Sequence, residues 1–344
     1  MTLLARPAGS ATGTRTGSAA LDVVLRFRAL GLVVALAVLV AVTTAVNPRF
    51  VGEQSVRDIL LATAVTMLLA IGMTVVVLTR GIDLSVGSVL GLSAYVTAGL
   101  LRDGLPIPVA MLTGPLVGAG CGLVNAVIVH YGRVPPLVAT LGTLYVFRGV
   151  VYFVAGGSRI NASDLPGGFL DLGNGHVLGV PYLIGVALLV LLLAGVFLSR
   201  YRSGRDLYAL GSSPEAATLA GIPAGRRLLT AYVLCGALAG LGGVLHAARY
   251  GTVDASAGSG LELNVVAAVV VGGVAIFGGS GSVYGAALGA LLLTVIGNAL
   301  PVLSIDQFWQ QAIVGALILG AIGLDRFVGL RVAASLRRKD SHVG

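Results

Sequence analysis

The stretch Gly81-Ile82-Asp83-Leu84-Ser85-Val86-Gly87-Ser88 lies between two hydrophobic segments, each long enough to cross a bilayer. Its pattern returns 171 positions later, in Thr252-Val253-Asp254-Ala255-Ser256-Ala257-Gly258-Ser259. Each copy reads Ile or Val, Asp, a small or apolar residue, Ser, an apolar residue, Gly and Ser. Matching Asp, Ser, Gly and Ser in register points to an internal duplication. The competing explanation is shared Gly/Ala/Val composition.

The surrounding chain defines the class. Of its 344 residues, 56% are hydrophobic and 10% are charged, and the mean hydropathy is +0.97. Soluble domains carry about a quarter charged residues, so a soluble core is excluded and the chain reads as an all-α polytopic membrane protein. About ten transmembrane helices are predicted, at 27–46, 59–79, 84–101, 108–129, 134–155, 181–199, 228–247, 263–279, 283–300 and 308–324. Asn47-Pro48, Pro135-Pro136, Pro181 and Pro301 supply stops between them. Residues 1–26, rich in Gly, Ser, Thr and Arg, are expected to form a disordered cytoplasmic tail, and 325–344 a basic one. With both termini inside, sixteen of the 22 basic residues fall on inner segments and five on outer ones, with Arg148 inside a span. That is the bias expected of a cytoplasmic side.

Ten spans divide into five and five, at about 27–156 and 181–324, and an odd-numbered unit is inverted in its second copy. The two octets then fall on opposite sides, after the second and seventh spans. Asn125-Ala126 and Asn298-Ala299 match at 173 residues, as do Gly142 and Gly315. Inverted repeats mark transporters, with the substrate path near the interface between halves.

The longest inner loop, 200–227, contains Ser213-Pro214-Glu215-Ala216-Ala217, which is a helix start, and Gly221-Ile222-Pro223, which is a stop. Ser caps free backbone N–H groups, Pro fits the first helical position, and Glu suits the positive end of the dipole. A short capped helix of about two turns follows. It either tidies the loop or docks on a partner.

The chain resembles the permease subunits of ATP-driven sugar importers of the ribose, xylose and rhamnose type, which include autoinducer-2 importers. The resemblance rests on Leu78 to Ser88, Val134 to Thr143 with Phe147-Arg148-Gly149, Tyr208-Ala209-Leu210-Gly211 with Glu215-Ala216-Ala217 and Gly221-Ile222, and Gly272-Gly273 through Ser282. It covers about residues 47–325. It implies a bacterial plasma (inner) membrane location, a second permease subunit, a cytoplasmic ATPase and an extracytoplasmic sugar-binding protein. It also implies that Ser213 to Ile222 dock into the ATPase. Arg80 departs from the pattern, since many relatives carry Gly there. The alternative is an ion-coupled secondary sugar transporter.

No catalytic residue, metal site or cofactor is expected. There is no Gly-x-x-x-x-Gly-Lys-Ser/Thr for ATP, and Cys121, Cys235 and the four histidines lack metal or catalytic spacing. The net charge of +8 sits in short loops and tails, which disfavours nucleic acid as a partner. In the octets, Asp83, Ser85, Gly87, Ser88 and Asp254, Ser256, Gly258, Ser259 are expected to cap the helices that follow and to act as hinges between the halves. Candidates for the solute path are Asn125, Asn298, Trp309, Gln310 and Gln311. Arg148 is expected to snorkel or to meet a lipid phosphate.

Overall fold

The computed structural model describes residues 15–177, 179–306 and 308–323. Thirteen α-helices run through them: α1 Arg15–Val46, α2 Glu53–Leu78, α3 Val86–Arg102, α4 Ile107–His130, α5 Pro136–Ala155, α6 Gly167–Asn174, α7 Tyr182–Arg200, α8 Arg202–Ser212, α9 Pro214–Leu219, α10 Ala224–Tyr250, α11 Leu261–Val271, α12 Val283–Val302 and α13 Trp309–Gly323. Among the described residues the strands are a short antiparallel pair, His176–Val177 with Val180–Pro181.

Six helices, α2, α4, α5, α7, α10 and α12, are long and apolar enough to span a bilayer. Of the other four predicted spans, one lies within the 32-residue α1 and three fall on the shorter apolar helices α3, α11 and α13 as described, so a count of ten full-length spans does not emerge. Two expectations need correction. Residues 15–26 are helical rather than disordered, because a helix nucleated in the apolar span extends at one hydrogen bond per residue. The span predicted at 263–279 stops at Val271. Gly273, Gly278, Gly279 and Gly281 take positive φ and fold 272–282 into a turn. Residues 1–14 and the tail beyond 323 lie outside the described residues.

α2 and α10 stand side by side at the centre, each packed on the other's half of the chain: α10 against α3 and α4, α2 against α11 and α12. Lipid gives no hydrophobic drive for helices to associate, so close backbone approach must supply the contact. The antiparallel α4–α10 seam does this with glycines. A Cβ on Gly114, Gly118 or Gly122 would strike the backbone of Gly240, Gly236 or Tyr232. α2 is buried over most of its length, while α1, α4, α5 and α7 expose apolar faces, as lipid-facing helices do.

α3 and α11 are the short members of the core, about 25 and 16 Å long at 1.5 Å per residue. Non-helical backbone makes up the missing depth: 79–85 turns back from the end of α2, and 251–260 turns back from the end of α10. Such backbone is tolerated at membrane depth only where protein buries it or where it lines a water-filled cavity.

Candidate functional site

The first octet begins where α2 ends. Arg80 takes the left-handed conformation (φ 68°). Its N–H meets the carbonyl of Val77, and the N–H of Gly81 meets that of Val76. This closure usually falls to glycine, which carries no Cβ. The Arg80 guanidinium reaches back to the last carbonyls of α8, Nε to Gly211 (2.5 Å) and Nη2 to Ser212 (2.8 Å). A cation suits that negative helix end. Gly279 N–H also donates to the Leu78 carbonyl (3.0 Å), so three segments meet at the end of α2.

Beyond it, Asp83 Oδ1 accepts from the Ser85 amide (2.9 Å) and hydroxyl (2.6 Å). The duplicate is the same in detail: Asp254 Oδ1 accepts from the Ser256 amide (2.8 Å) and hydroxyl (2.6 Å). These are side-chain turns of the kind Asp favours, and they correct the capping expectation. Ser85 stands at the N-cap of α3 without a side-chain cap bond, and Gly87 and Ser88 are already helical. α11 starts after Gly260, beyond the whole second octet. Each Asp bonds its own turn rather than the helix N-terminus that follows.

The surroundings differ. Asp83, Ser85 and Ser88 are buried. Asn125 on α4, fully buried, donates to Asp83 Oδ1 (3.2 Å) and Oδ2 (3.3 Å) and to Ser85 Oγ (2.8 Å). Its carbonyl accepts from Thr143 Oγ (2.6 Å) on α5, and Thr140 Oγ donates to the Ile82 carbonyl (2.8 Å). The second octet is half open: Ser256 and Ser259 are exposed and Asp254 pairs with Arg159 at 3.3 Å. An antiparallel bridge between Val253 and Ile160 holds its rim to the 156–181 connection.

Arg148 turns one nitrogen of its guanidinium toward the second octet. From α5, its Nη1 donates to the carbonyls of Ala255 (2.9 Å) and Ala257 (2.7 Å), pinning the second octet to the first half. The irregular backbone of the octet leaves those carbonyls free, which is why the guanidinium turns inward.

The remaining candidates separate. Asn298 and Gln310 line a cleft of about 380 Å³ with Thr66, Arg249, Tyr250, Asn264 and Thr294. Asn125 does not line it and is sealed in its own network. Trp309 and Gln311 are exposed outside the cleft. Sequence reading gave no role to Thr140 and Thr143, although they lie in the quoted stretch Val134 to Thr143, and missed Glu262 and Asn264, since a lone polar residue in an apolar run carries no pattern of its own.

The inner-loop helix is α9. Ser213 caps it by accepting from the Ala216 amide (3.3 Å), with Pro214 at its first position. Gly221 (φ 75°) closes it, with its own N–H on the Thr218 carbonyl and that of Ile222 on the Ala217 carbonyl. Glu215, Ala216 and Leu219 face outward, Leu219 at 90% exposure. α8, which precedes it, had no counterpart in the sequence reading.

Comparison with known proteins fits this arrangement. The chain is 39% identical over 302 residues to the autoinducer 2 import system permease protein LsrC of Enterobacter sp. (strain 638), covering 88% of this chain and 87% of that one. It is 38% identical over 297 residues to the ribose import permease protein RbsC of Escherichia coli K12, covering 85% and 92%. It is 33% identical over 295 residues to the D-allose transport system permease protein AlsC of the same strain, covering 85% and 90%. No solved structure matches the chain. Residues 55–322 match the family described as branched-chain amino acid transport system / permease component, and the chain is a multi-pass membrane protein that belongs to it.

Proposed function

We propose that the chain is the membrane-spanning permease subunit of an ATP-driven importer for a monosaccharide or a similar small hydrophilic solute. It sits in a bacterial inner membrane with both termini in the cytoplasm. It pairs with a second permease subunit, a cytoplasmic ATPase that performs the hydrolysis, and an extracytoplasmic binding protein that delivers solute to the 156–181 and 251–260 connections. The relatives named for ribose, allose and autoinducer 2 favour a polyol-like solute over the amino acids of the family's description.

One observation carries the reading: a continuous path of contacts from α9 to the middle of the molecule. α9 follows α8 through Ser213, Arg80 ties the end of α8 to the end of α2, and the first octet then runs to Gly87, which abuts Gly258 of the second. A push on Ser213, Pro214, Glu215, Ala216, Ala217, Gly221 and Ile222 by an ATPase therefore reaches both octets, the hinges between two inverted five-helix halves. The sealed first octet and the open second one match an outward-facing state, with the Asn298–Gln310 cleft as part of its opening.

The test is uptake by the chain reconstituted with its ATPase and binding protein. Glu215→Lys and Gly221→Val are expected to abolish uptake and ATPase stimulation while the protein still inserts. Normal coupled uptake would remove the docking role of α9. Uptake by the chain alone, driven by an ion gradient, would make it a secondary transporter instead.

A further inference from the structure

Arg148 occupies the thirteenth position of the 20-residue α5, well inside the helix, where an ionisable group is expensive and marks a pathway or a partner. A guanidinium has five N–H donors. Nη1 spends its two on Ala255 and Ala257. Among the described residues, Nε and Nη2 have no protein acceptor. Glu262 stands on the first turn of α11. Both groups lie along the glycine face of α3: a Cβ on Gly91 would come within 3.1 Å of Arg148 Nη1, and one on Gly87 would strike Glu262 Oε2. Glu262 spends one oxygen on the Gly260 amide (3.3 Å). Beside them, Ser259 and Leu263 are exposed and Arg148 and Glu262 half-exposed. Two opposite charges, half-exposed on successive turns of that face and not in direct salt-bridge contact, need water or a polar ligand against them.

We infer that Arg148, Glu262 and Ser259 form a solute-binding site beside the glycine face of α3, where α5 and α11 flank it, and that its ligand is a neutral polyhydroxylated molecule. Together the two groups are net neutral and set free donors near a free carboxylate oxygen. A vicinal diol matches this: one hydroxyl accepts from the guanidinium while its neighbour donates to Glu262, and the Ser259 hydroxyl does either. The proposal rests on the importer reading above. It goes beyond it by placing a contact site outside the Asn298 cleft.

The experiment uses the full chain in liposomes with Ser259→Cys, Leu263→Cys or, on the apolar face of α5, Val146→Cys, each labelled with a membrane-impermeant maleimide. Cys121 and Cys235 are buried and serve as the unlabelled background. Cys at 259 and 263 should react faster than Cys at 146, because the thiolate is the reacting form and an apolar surrounding suppresses it. D-ribose or D-allose should slow the reaction at 259 several-fold, and Glu262→Gln should abolish that protection without changing the labelling rate. Absence of labelling, or labelling that neither sugar slows in a chain whose ATP-driven sugar uptake is intact, overturns the site and leaves the importer reading standing. Protection by L-leucine in place of the sugars overturns the ligand class and the proposed solute together.

Discussion

Gly87 and Gly258, related by the 171-residue repeat, lie against each other: a Cβ on either would run into the other's carbonyl oxygen, at 2.5 Å in the case of Gly87. Reciprocal contact of equivalent residues is what a two-fold relation between halves produces where its axis passes. Both octets therefore meet at one point, reached by non-helical backbone from opposite ends of α2 and α10.

That contact leaves no room for a methyl group. Gly87→Ala is expected to cost about 1–3 kcal/mol through overpacking. Gly258→Ala should cost more, because φ there is 76° and a left-handed L-residue adds about 1–2 kcal/mol. Gly142→Ala, with open space around it, should leave stability unchanged or slightly raised. Thermal unfolding of the three variants in detergent orders them; equal melting temperatures would rule out a tight seam.

Asn125 uses both ends of its amide, donating to Asp83 and Ser85 and accepting from Thr143. Asn125→Leu leaves a buried carboxylate and two hydroxyls short of partners, at about 1–3 kcal/mol. Asn125→Asp should be worse, since it sets a second carboxylate beside Asp83. Melting temperature in the order wild type, Leu, Asp is the expected outcome.

Asp254, in the connection between α10 and α11, differs from Asp83 in being partly open. Its carboxyl is held below the ordinary range by the Ser256 hydroxyl, then by the Ser256 amide and the Arg159 charge. A lowered folded pKa stabilises the turn fully above the unfolded value of about 4 and loses that effect as pH falls through the folded value. A melt series should therefore show no contribution from this turn to pH dependence between pH 5 and 8. Below about pH 4, wild type should lose melting temperature faster than Asp254→Asn.

Ser213 caps the exposed α9. Replacing it with Ala removes one N-terminal hydrogen bond, worth about 1 kcal/mol. A six-residue helix has little else to hold it. Hydrogen exchange at 214–219 should accelerate about fivefold, with α2 and α10 unaffected and global melting unchanged.

Much of this protein was written in its sequence. Hydropathy alone names an all-α membrane chain, because lipid admits no other open arrangement of backbone. The register of Asp, Ser, Gly and Ser marks two equivalent turns, and Ser213 with Gly221 bounds a helix, because turns and caps depend on residues close in the chain. Only the tertiary structure decided what those pieces touch. That the octets meet at Gly87 and Gly258, that Arg148 turns inward to Ala255 and Ala257, that Asn125 is sealed while Asn298 lines a cleft, and that the eighth predicted span ends at Val271 all depend on contacts between separate elements, from 18 residues apart for Asn125 and Thr143 to 107 for Arg148 and Ala255, or on how glycines fold against neighbours. Local propensity carries no information about those partners.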